Sequence, residues 1–343
     1  MTPVDTAETG QGGSAAQDEG TRPAGDPRPG RWRRGSVLTT CALLLGLLLL
    51  LHGQLPDWAG LGSLLETFLP WFGLLVPVLL AGALWRRSTS AVVALLLPVT
   101  VWLSHFGGLL ADKSHQGGDL TVVSHNVNAD NRDPAGTARD LAASGADVLA
   151  LEELTDRATG VYETELAKGY PYHTVQGTVG LWSKLPLSDT RPVDVLWQPR
   201  PADNPVEPPR ALRTTVATRK GPLAVYVVHL GSVRVMPRGG FWTDTRNAGA
   251  KKLAGAVAAE RSERVVVVGD FNGTMDDRAF DGLASQLRSA QDVAGDGFGF
   301  SWPTDFPMVR IDQILVRGVA PRSAWLLPAT GSDHRPVAAG ISW

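Results

Sequence analysis

The residues best suited to chemistry in this 343-residue chain lie at the ends of short apolar runs. Leu120–Ser124 leads into His125 and Asn126. Asp147–Leu151 ends at the tandem acids Glu152 and Glu153, and Leu223–Val228 ends at His229. Arg264–Val268 passes through Gly269 into Asp270-Phe271-Asn272, Ile311 precedes Asp312, and Gly331-Ser332 precedes Asp333 and His334. Carboxylates and an amide on strand ends supply the oxygen ligands that a hard divalent cation takes. Asp270 and Asn272 are two positions apart, so on extended chain both face one side of a sheet. Such a pair can hold a water nucleophile and a phosphoryl oxygen together. His229 and His334 suit a phosphate whose negative charge grows in the transition state, and Asp312 is a candidate for fixing an imidazole tautomer. Each residue also has a plainer reading. Asn126, Asn272 and Asp333 are common turn formers, Glu152 or Glu153 could cap a segment, and His229 could be a satisfied core histidine.

The elements that must position them alternate. Leu120–Ser124, Asp147–Leu151, Leu223–His229 and Arg264–Val268 are short, mostly Val-rich and bounded by polar residues, as buried strands are. Ile311–Val316 and Val337–Ile341 read as further strands. Ala135–Ser144 and Arg246–Arg261 read as helices, the second with Leu253 and Val257 at i, i+4 spacing. The pattern is that of an α/β domain over residues 119–343, with its polar residues at the carboxyl ends of strands where α/β folds build sites.

In order along the chain, "SHNVNADN", "ADVLALEEL", "GLWSKLPL", "YVVHLG", "VVVVGDFNG", "VRIDQILV" and "GSDHRPVAA" resemble the endonuclease/exonuclease/phosphatase superfamily of metal-dependent phosphoesterases. "GDFN" and "SDHRPV" are the most specific of these. The resemblance spans the whole soluble domain and implies a DNase I-like, four-layered α/β sandwich. It also implies Mg²⁺ as the metal, with Mn²⁺ able to take its place, and Asn126, Glu153 and Asp333 at the metal site. Asp270 then orients or deprotonates the attacking water, and Asn272 aligns water and phosphate. His229 and His334 contact the phosphate, and Asp312 pairs with His334. Two positions depart from the pattern: His125 stands where an aromatic residue is common, and Glu152 where Gln is common. Phase along the motif selects Glu153 rather than Glu152 as the ligand.

The residues before this domain are of another kind. Residues 1–35 are rich in Gly, Pro and Ala, lack apolar periodicity, and read as a disordered cytoplasmic tail. They close on Arg28, Arg31, Arg33 and Arg34. Apolar stretches over Ser36–Leu51, Leu61–Trp85 and Ala91–Leu110 each approach the ~20 residues needed to cross the hydrocarbon layer. The expectation is a three-helix transmembrane anchor over 36–110, followed by a linker over 111–118. Glu66, Pro70 and Pro77 place the true start of the second stretch nearer Thr67 and favour a kink. The Arg cluster and the Arg86–Arg87 pair belong inside by the positive-inside rule, which leaves the C-terminal domain outside the cell. A cleaved export signal is the alternative, since Arg33-Arg34 before an apolar run loosely resembles a twin-arginine signal.

Composition narrows the function. One cysteine, Cys41, excludes an internal disulfide framework and a Cys-rich metal site. Beyond Ala111 there are 25 Lys+Arg and 27 Asp+Glu, a net of −2, with no basic stripe for nucleic acid. The reading is a phosphoesterase acting on a phosphate or pyrophosphate ester at the outer membrane face. A phosphorylated, lipid-linked substrate of the cell wall fits that position, and the membrane-anchored branch it resembles includes proteins linked to teicoplanin resistance. One alternative is a tethered extracellular DNA endonuclease, with Arg234, Arg238, Phe241 and Trp242 of "VRVMPRGGFWTDTRN" able to stack on and clamp nucleic acid, although Phe241 and Trp242 could equally touch the bilayer. A second is a membrane-bound binding module without catalysis. The topology carries its own prediction: a reporter fused at Gly118 should signal from outside the cell, and a cytoplasmic signal would reverse the orientation.

Overall fold

The computed structural model describes residues 35–197, 207–237 and 240–343. The tail read as disordered over 1–35 lies outside the described residues except for Gly35. Arg28, Arg31, Arg33, Arg34 and Arg238 also lie outside them.

The first half of the domain contributes strands β1 (Leu120–Asn126), β2 (Val148–Glu152), β3 (Tyr172–Gln176), β4 (Val179–Ser183), β5 (Leu187–Pro192), β6 (Ala211–Thr218) and β7 (Gly221–His229). The second half contributes β8 (Arg234–Met236), β9 (Gly240–Trp242), β10 (Val265–Asp270), β11 (Arg288–Ser289), β12 (Asp312–Arg317), β13 (Ala320–Leu326) and β14 (Val337–Ser342). They form two six-stranded sheets, ordered β13-β14-β1-β2-β4-β3 and β11-β12-β10-β7-β6-β5, and a small β8-β9 hairpin. Each large sheet is mixed, with one parallel pair, β1 with β2 or β7 with β10, among antiparallel neighbours.

The two sheets face each other across an aliphatic core that includes Val122, Val148, Ala150, Leu181, Val225, Val227, Val266, Val268 and Ile341. Strands such as Val265–Asp270 are buried on both faces, which explains their unbroken valine runs rather than alternation. Each fully buried valine contributes about 1.5 kcal/mol or more relative to exposure. On the outer face of the first sheet, Trp182 of β4 packs with Leu141 of helix Pro134–Ala143 and Tyr162 and Leu166 of helix Asp156–Leu166. On the second, Leu253 and Val257 of helix Asp244–Ala258 pack on Val265, Val267 and Leu315. Helices and sheets together make four layers.

The strands read from the sequence leave out β3, β4, β5, β6 and β13, and the short β8, β9 and β11. β3 and β5 are edge strands with little burial. β6 buries Arg213 and Thr214, polar residues that break an apolar signature, and holds them with Glu260, Asp189 and Thr190.

Three crossings, the second kinked, are the expectation for the apolar segment, and two of them are met by length and composition. Ser36–Gln54 and Thr89–Leu110 are each long and apolar enough to cross a membrane. The second stretch is instead broken, bent by 68° between Trp58–Thr67 and Leu69–Trp85, and counts as a third crossing only if the bent pair is one span. The break has two causes. Pro70 lacks the N–H that would continue the preceding turn. The part before it carries Ser63 and Glu66, which turn into the α/β domain and are buried there. Arg278 lies 2.6 Å from Glu66, and the Ser63 hydroxyl donates to Asp277. The 111–118 linker lies along the domain, His115 N donating to Arg322 O at 2.6 Å.

Arg246 closes this contact. Fully buried, it sits 2.7 Å from Asp277, donates to Ser63 Oγ at 3.0 Å, and lies over the Phe280 ring. Arg246→Ala would leave the Asp277 carboxylate buried without its cation. It should destabilise the fold by about 3–5 kcal/mol, read by denaturant unfolding. A loss below 1 kcal/mol would show that water reaches Asp277.

Candidate active site

Strand register gathers the candidate residues at one edge of the sandwich. Parallel pairing sets Asn126 of β1 opposite Glu152 of β2, and Asp270 of β10 opposite His229 of β7. Antiparallel pairing sets Asp270 opposite Asp312 at the start of β12. The turn before β14 brings in His334, whose backbone N–H donates to Ser332 Oγ while that hydroxyl donates to Asn126 O at 2.6 Å.

Asp270 is at the centre. Its Oδ2 accepts from Asn126 Nδ2 at 3.0 Å and its Oδ1 from the Asn272 backbone N–H at 2.8 Å. Asn126 Nδ2 also donates to Glu153 Oε1 at 3.1 Å, so one amide bridges two carboxylates. Burial, with Asp312 nearby, pushes the Asp270 carboxyl up to about 7 against the pull of the His334 cation. Such a group can accept a proton near neutral pH.

His334 works against burial. The Asp312 carboxylate, 2.9 Å from Nδ1, and Asp270, 3.9 Å from Nε2, hold it protonated and raise it to about 10. Ser301 Oγ donates to Asp312 at 2.6 Å and fixes that carboxylate in turn.

His229 is the opposite case. Burial and the neighbouring Arg210 and His334 charges push it well below the ordinary imidazole value. Arg210 Nη2 lies 2.8 Å from His229 Nε2, so the neutral ring accepts there, and Arg210 also donates to the carbonyls of His229 and Leu230. The positive charge on this flank is therefore carried by Arg210. Sequence reasoning missed this residue, because only the pairing of β6 with β7 brings it to His229.

The tandem acids part company. Glu153, at φ 61°, turns its carboxylate to Asn126 and the Ala129 N–H and lies 3.6 Å from His229. Glu152 ends β2 pointing into the interior, where Ser124 Oγ donates to it. Burial, then Asp312, raise it well above the carboxylate range. Asn272, at φ 50°, likewise occupies a conformation uncommon for a side-chain-bearing residue and donates to Leu230 O at 3.1 Å. Two such residues at one site fit the tendency of backbone strain to gather where function fixes geometry. Asp333 is placed apart from this cluster, at the exposed rim, taking hydrogen bonds from Asn128 Nδ2 at 2.8 Å and Trp302 Nε1 at 3.3 Å. His125 is buried with Nε2 beside Thr330 Oγ1, and burial lowers it to about 3, so it stays neutral.

Among the described residues, two sets of acids and imidazoles bring ligand atoms within 4.8 Å of one another: Glu153, His229, Asp270, and Asp270, Asp312, His334. The second is internally neutralised by the His334 cation. The first has two converging carboxylates, from Glu153 and Asp270, bridged by the Asn126 amide N–H, and those carboxylate oxygens suit a hard divalent cation.

A two-sheet α/β sandwich with this cluster at one edge defines a metal-dependent phosphoric ester hydrolase. The model of the endonuclease/exonuclease/phosphatase family matches residues 123–334, and the chain belongs to that family. Its members are metal-dependent phosphoesterases, nucleases and phosphatases. Among solved structures, a conserved protein of unknown function from Enterococcus faecalis is similar at 15% identity, covering 65% of this chain and 99% of its own, with a TM-score of 0.54. D. rerio TDP2 complexed with single strand DNA product is 20% identical, covering 65% and 98%, with a TM-score of 0.52. A mannosyl-6-phosphatase of Bacteroides thetaiotaomicron is 14% identical, covering 65% and 100%, with a TM-score of 0.51. At these identities the likeness is one of fold. No curated protein matches the chain.

The His334 geometry gives a pH prediction for metal-free protein. Its pKa is raised from 6.5 to about 10, so the stability it contributes is complete below 6.5 and lost as pH rises through about 10. Asp312→Asn should bring the ring titration down by at least two units in NMR and flatten the fall in melting temperature over that window. An unmoved titration would mean that Asp312 does not hold the charge.

Proposed function

We propose that the chain hydrolyses a phosphate or pyrophosphate ester at the outer face of the cytoplasmic membrane, using Mg²⁺ or Mn²⁺. The ester we favour is a lipid-linked cell-wall pyrophosphate, with a link to glycopeptide (teicoplanin) resistance. The observation carrying this reading is the attachment of a phosphoesterase site to two helices apolar enough to cross a membrane. The absence of net positive charge on the domain favours a lipid over a polyanionic nucleic acid.

In this mechanism the Glu153 carboxylate would hold the cation, with Asn126 and His229 at the same site. The bound cation would withdraw charge from a phosphoryl oxygen. Asp270 Oδ2 takes the proton of the attacking water, and the Asn272 N–H on Oδ1 keeps the carboxylate aimed. His334, held cationic by Asp312, offers Nε2 to the negative charge that accumulates on the phosphoryl group. Arg210 supplies a second cation from the His229 side, and the side chain of Asn272 aligns the phosphate. No covalent enzyme intermediate is needed.

Phosphate release by the purified chain in detergent, with undecaprenyl pyrophosphate and with plasmid DNA nicking measured in parallel, tests the reading. Mg²⁺-dependent release without nicking is expected, and Asp270→Ala should lower it at least about 100-fold. Nicking without release would make nucleic acid the substrate, and turnover that survives Asp270→Ala would remove the assigned base.

A further inference from the structure

Three loops surround the candidate site, and each is bonded to the chain between Trp58 and Trp71 or to the helix ends beside it. The loop after β10, which carries Asn272, ends in Asp277 and Arg278. Asp277 accepts from Ser63, and Arg278 donates to Glu66 through its backbone N–H at 3.1 Å and its Nε at 3.0 Å. Arg278 also donates to the carbonyls of His52, at 2.8 Å, and Leu55, just past the end of the first apolar helix. The second loop precedes β12. Its Met308 carbonyl accepts from the Trp71 indole at 2.8 Å, Phe300 stacks on Trp71, and Phe298 meets Trp102 and Phe106. The third is the β8–β9 hairpin. It packs so closely on residues 58–60 that a Cβ at Gly60 would stand 1.6 Å from Phe241 O.

These anchor points share one end of the apolar segment. His52 lies in the last turn of the first crossing helix, Trp71 opens the arm that runs to Trp85, and Phe106 lies in the last turns of the second crossing helix. The edge of the sandwich that holds Asp270 therefore faces the ends of the helices, and the turn at Arg219 between β6 and β7 lies at the opposite edge. The rim loops leave several large apolar side chains exposed, Phe306 and Val235 the most, with Met236 and Trp302 beside them. Phe306 is 66% exposed, between Met308 and Trp302, whose indole donates to Asp333. Val235 on the hairpin is 82% exposed. Apolar side chains beside the end of a crossing helix are at the depth where the bilayer interface takes them up.

We infer that the catalytic edge of the sandwich is laid on the membrane surface with Phe306 and Val235 in the headgroup region, so that the site takes its phosphate ester from an amphiphile whose apolar tail stays in the bilayer. This rests on the lipid reading of the substrate. It goes further by fixing which edge meets lipid, which side chains enter it, and that the substrate is not drawn from water. Ser63 and Glu66 act as positioning residues, holding the Asn272 loop to the membrane segment.

The test uses the full chain with Cys41→Ala, reconstituted in phosphatidylglycerol/phosphatidylethanolamine vesicles and labelled with a fluorophore at Phe306→Cys or, as control, at Arg219→Cys. Spin-labelled lipid should quench the label at 306 at least twofold more than the label at 219, and aqueous iodide should do the reverse. In parallel, Phe306→Asp should lower the ratio of vesicle-borne polyprenyl pyrophosphate turnover to that of soluble bis(p-nitrophenyl) phosphate at least tenfold. Equal iodide quenching at the two positions, or an unchanged ratio, overturns the inference even if lipid is hydrolysed. Lipid quenching at 306 with no lipid turnover by unsubstituted protein overturns the substrate reading and the second half of the inference, while the placement of the edge stands.

Discussion

Burying a carboxylate at a strand end costs on the order of several kcal/mol unless donors or cations surround it. Asp270 is nearly devoid of solvent contact. Two amide groups, a backbone N–H and an imidazolium crowd around it, supplied by β1, by the turn after β10, and by the segment before β14. Each of those groups needs support of its own. Asn126 is fixed through the Asn128 N–H, His334 through Asp312, and Asp312 through Ser301. The resulting chain of dependence reaches from one charge to both sheets. It ties the register of the sandwich to the protonation state of the site.

The elements that signal themselves in the sequence are those whose burial is uniform. The valine runs of β7 and β10 and the i, i+4 pair Leu253 and Val257 each have one apolar environment, and their pattern states it. The cluster at the catalytic edge is legible for a different reason. Strand ends convert a residue's place in the chain into a place in space, so Asp270, Asp312, Asn126 and His229 could be grouped before any coordinates. Arg210 escapes such reasoning because its partner lies on another strand, and only the pairing of β6 with β7 brings them together. The choice between Glu152 and Glu153 turns on a single positive φ, which alternation along a strand does not encode. The bend before Leu69 was signalled only by Pro70 and Glu66. Composition marks that stretch as apolar but not which end of it leaves the helical path.

The contact between the apolar segment and the domain is unusual in its chemistry. Buried ion pairs contribute little net stability, but removing one partner is costly, which makes such contacts good at defining a single arrangement. Arg246, Asp277, Glu66 and Arg278 do this beside aromatic packing from Trp71, Phe298 and Phe300. A flexible tether would need none of it. The number of satisfied polar groups spent on this junction indicates that orientation of the domain, and not only its retention, is specified.

The position of β14 has a consequence for how the molecule is made. β1 is the first strand of the domain, and its partners are β2 on one side and β14 on the other, with Leu120 opposite Ile341. Until Val337–Ser342 arrives, one edge of β1 presents unpaired N–H and C=O groups to any passing strand. His334, three residues before β14, arrives at the same moment. Closure of the sheet and completion of the site thus depend on the same segment, which reaches β1 through long-range contacts. One segment therefore both covers the open edge of β1 and supplies the imidazolium that completes the site.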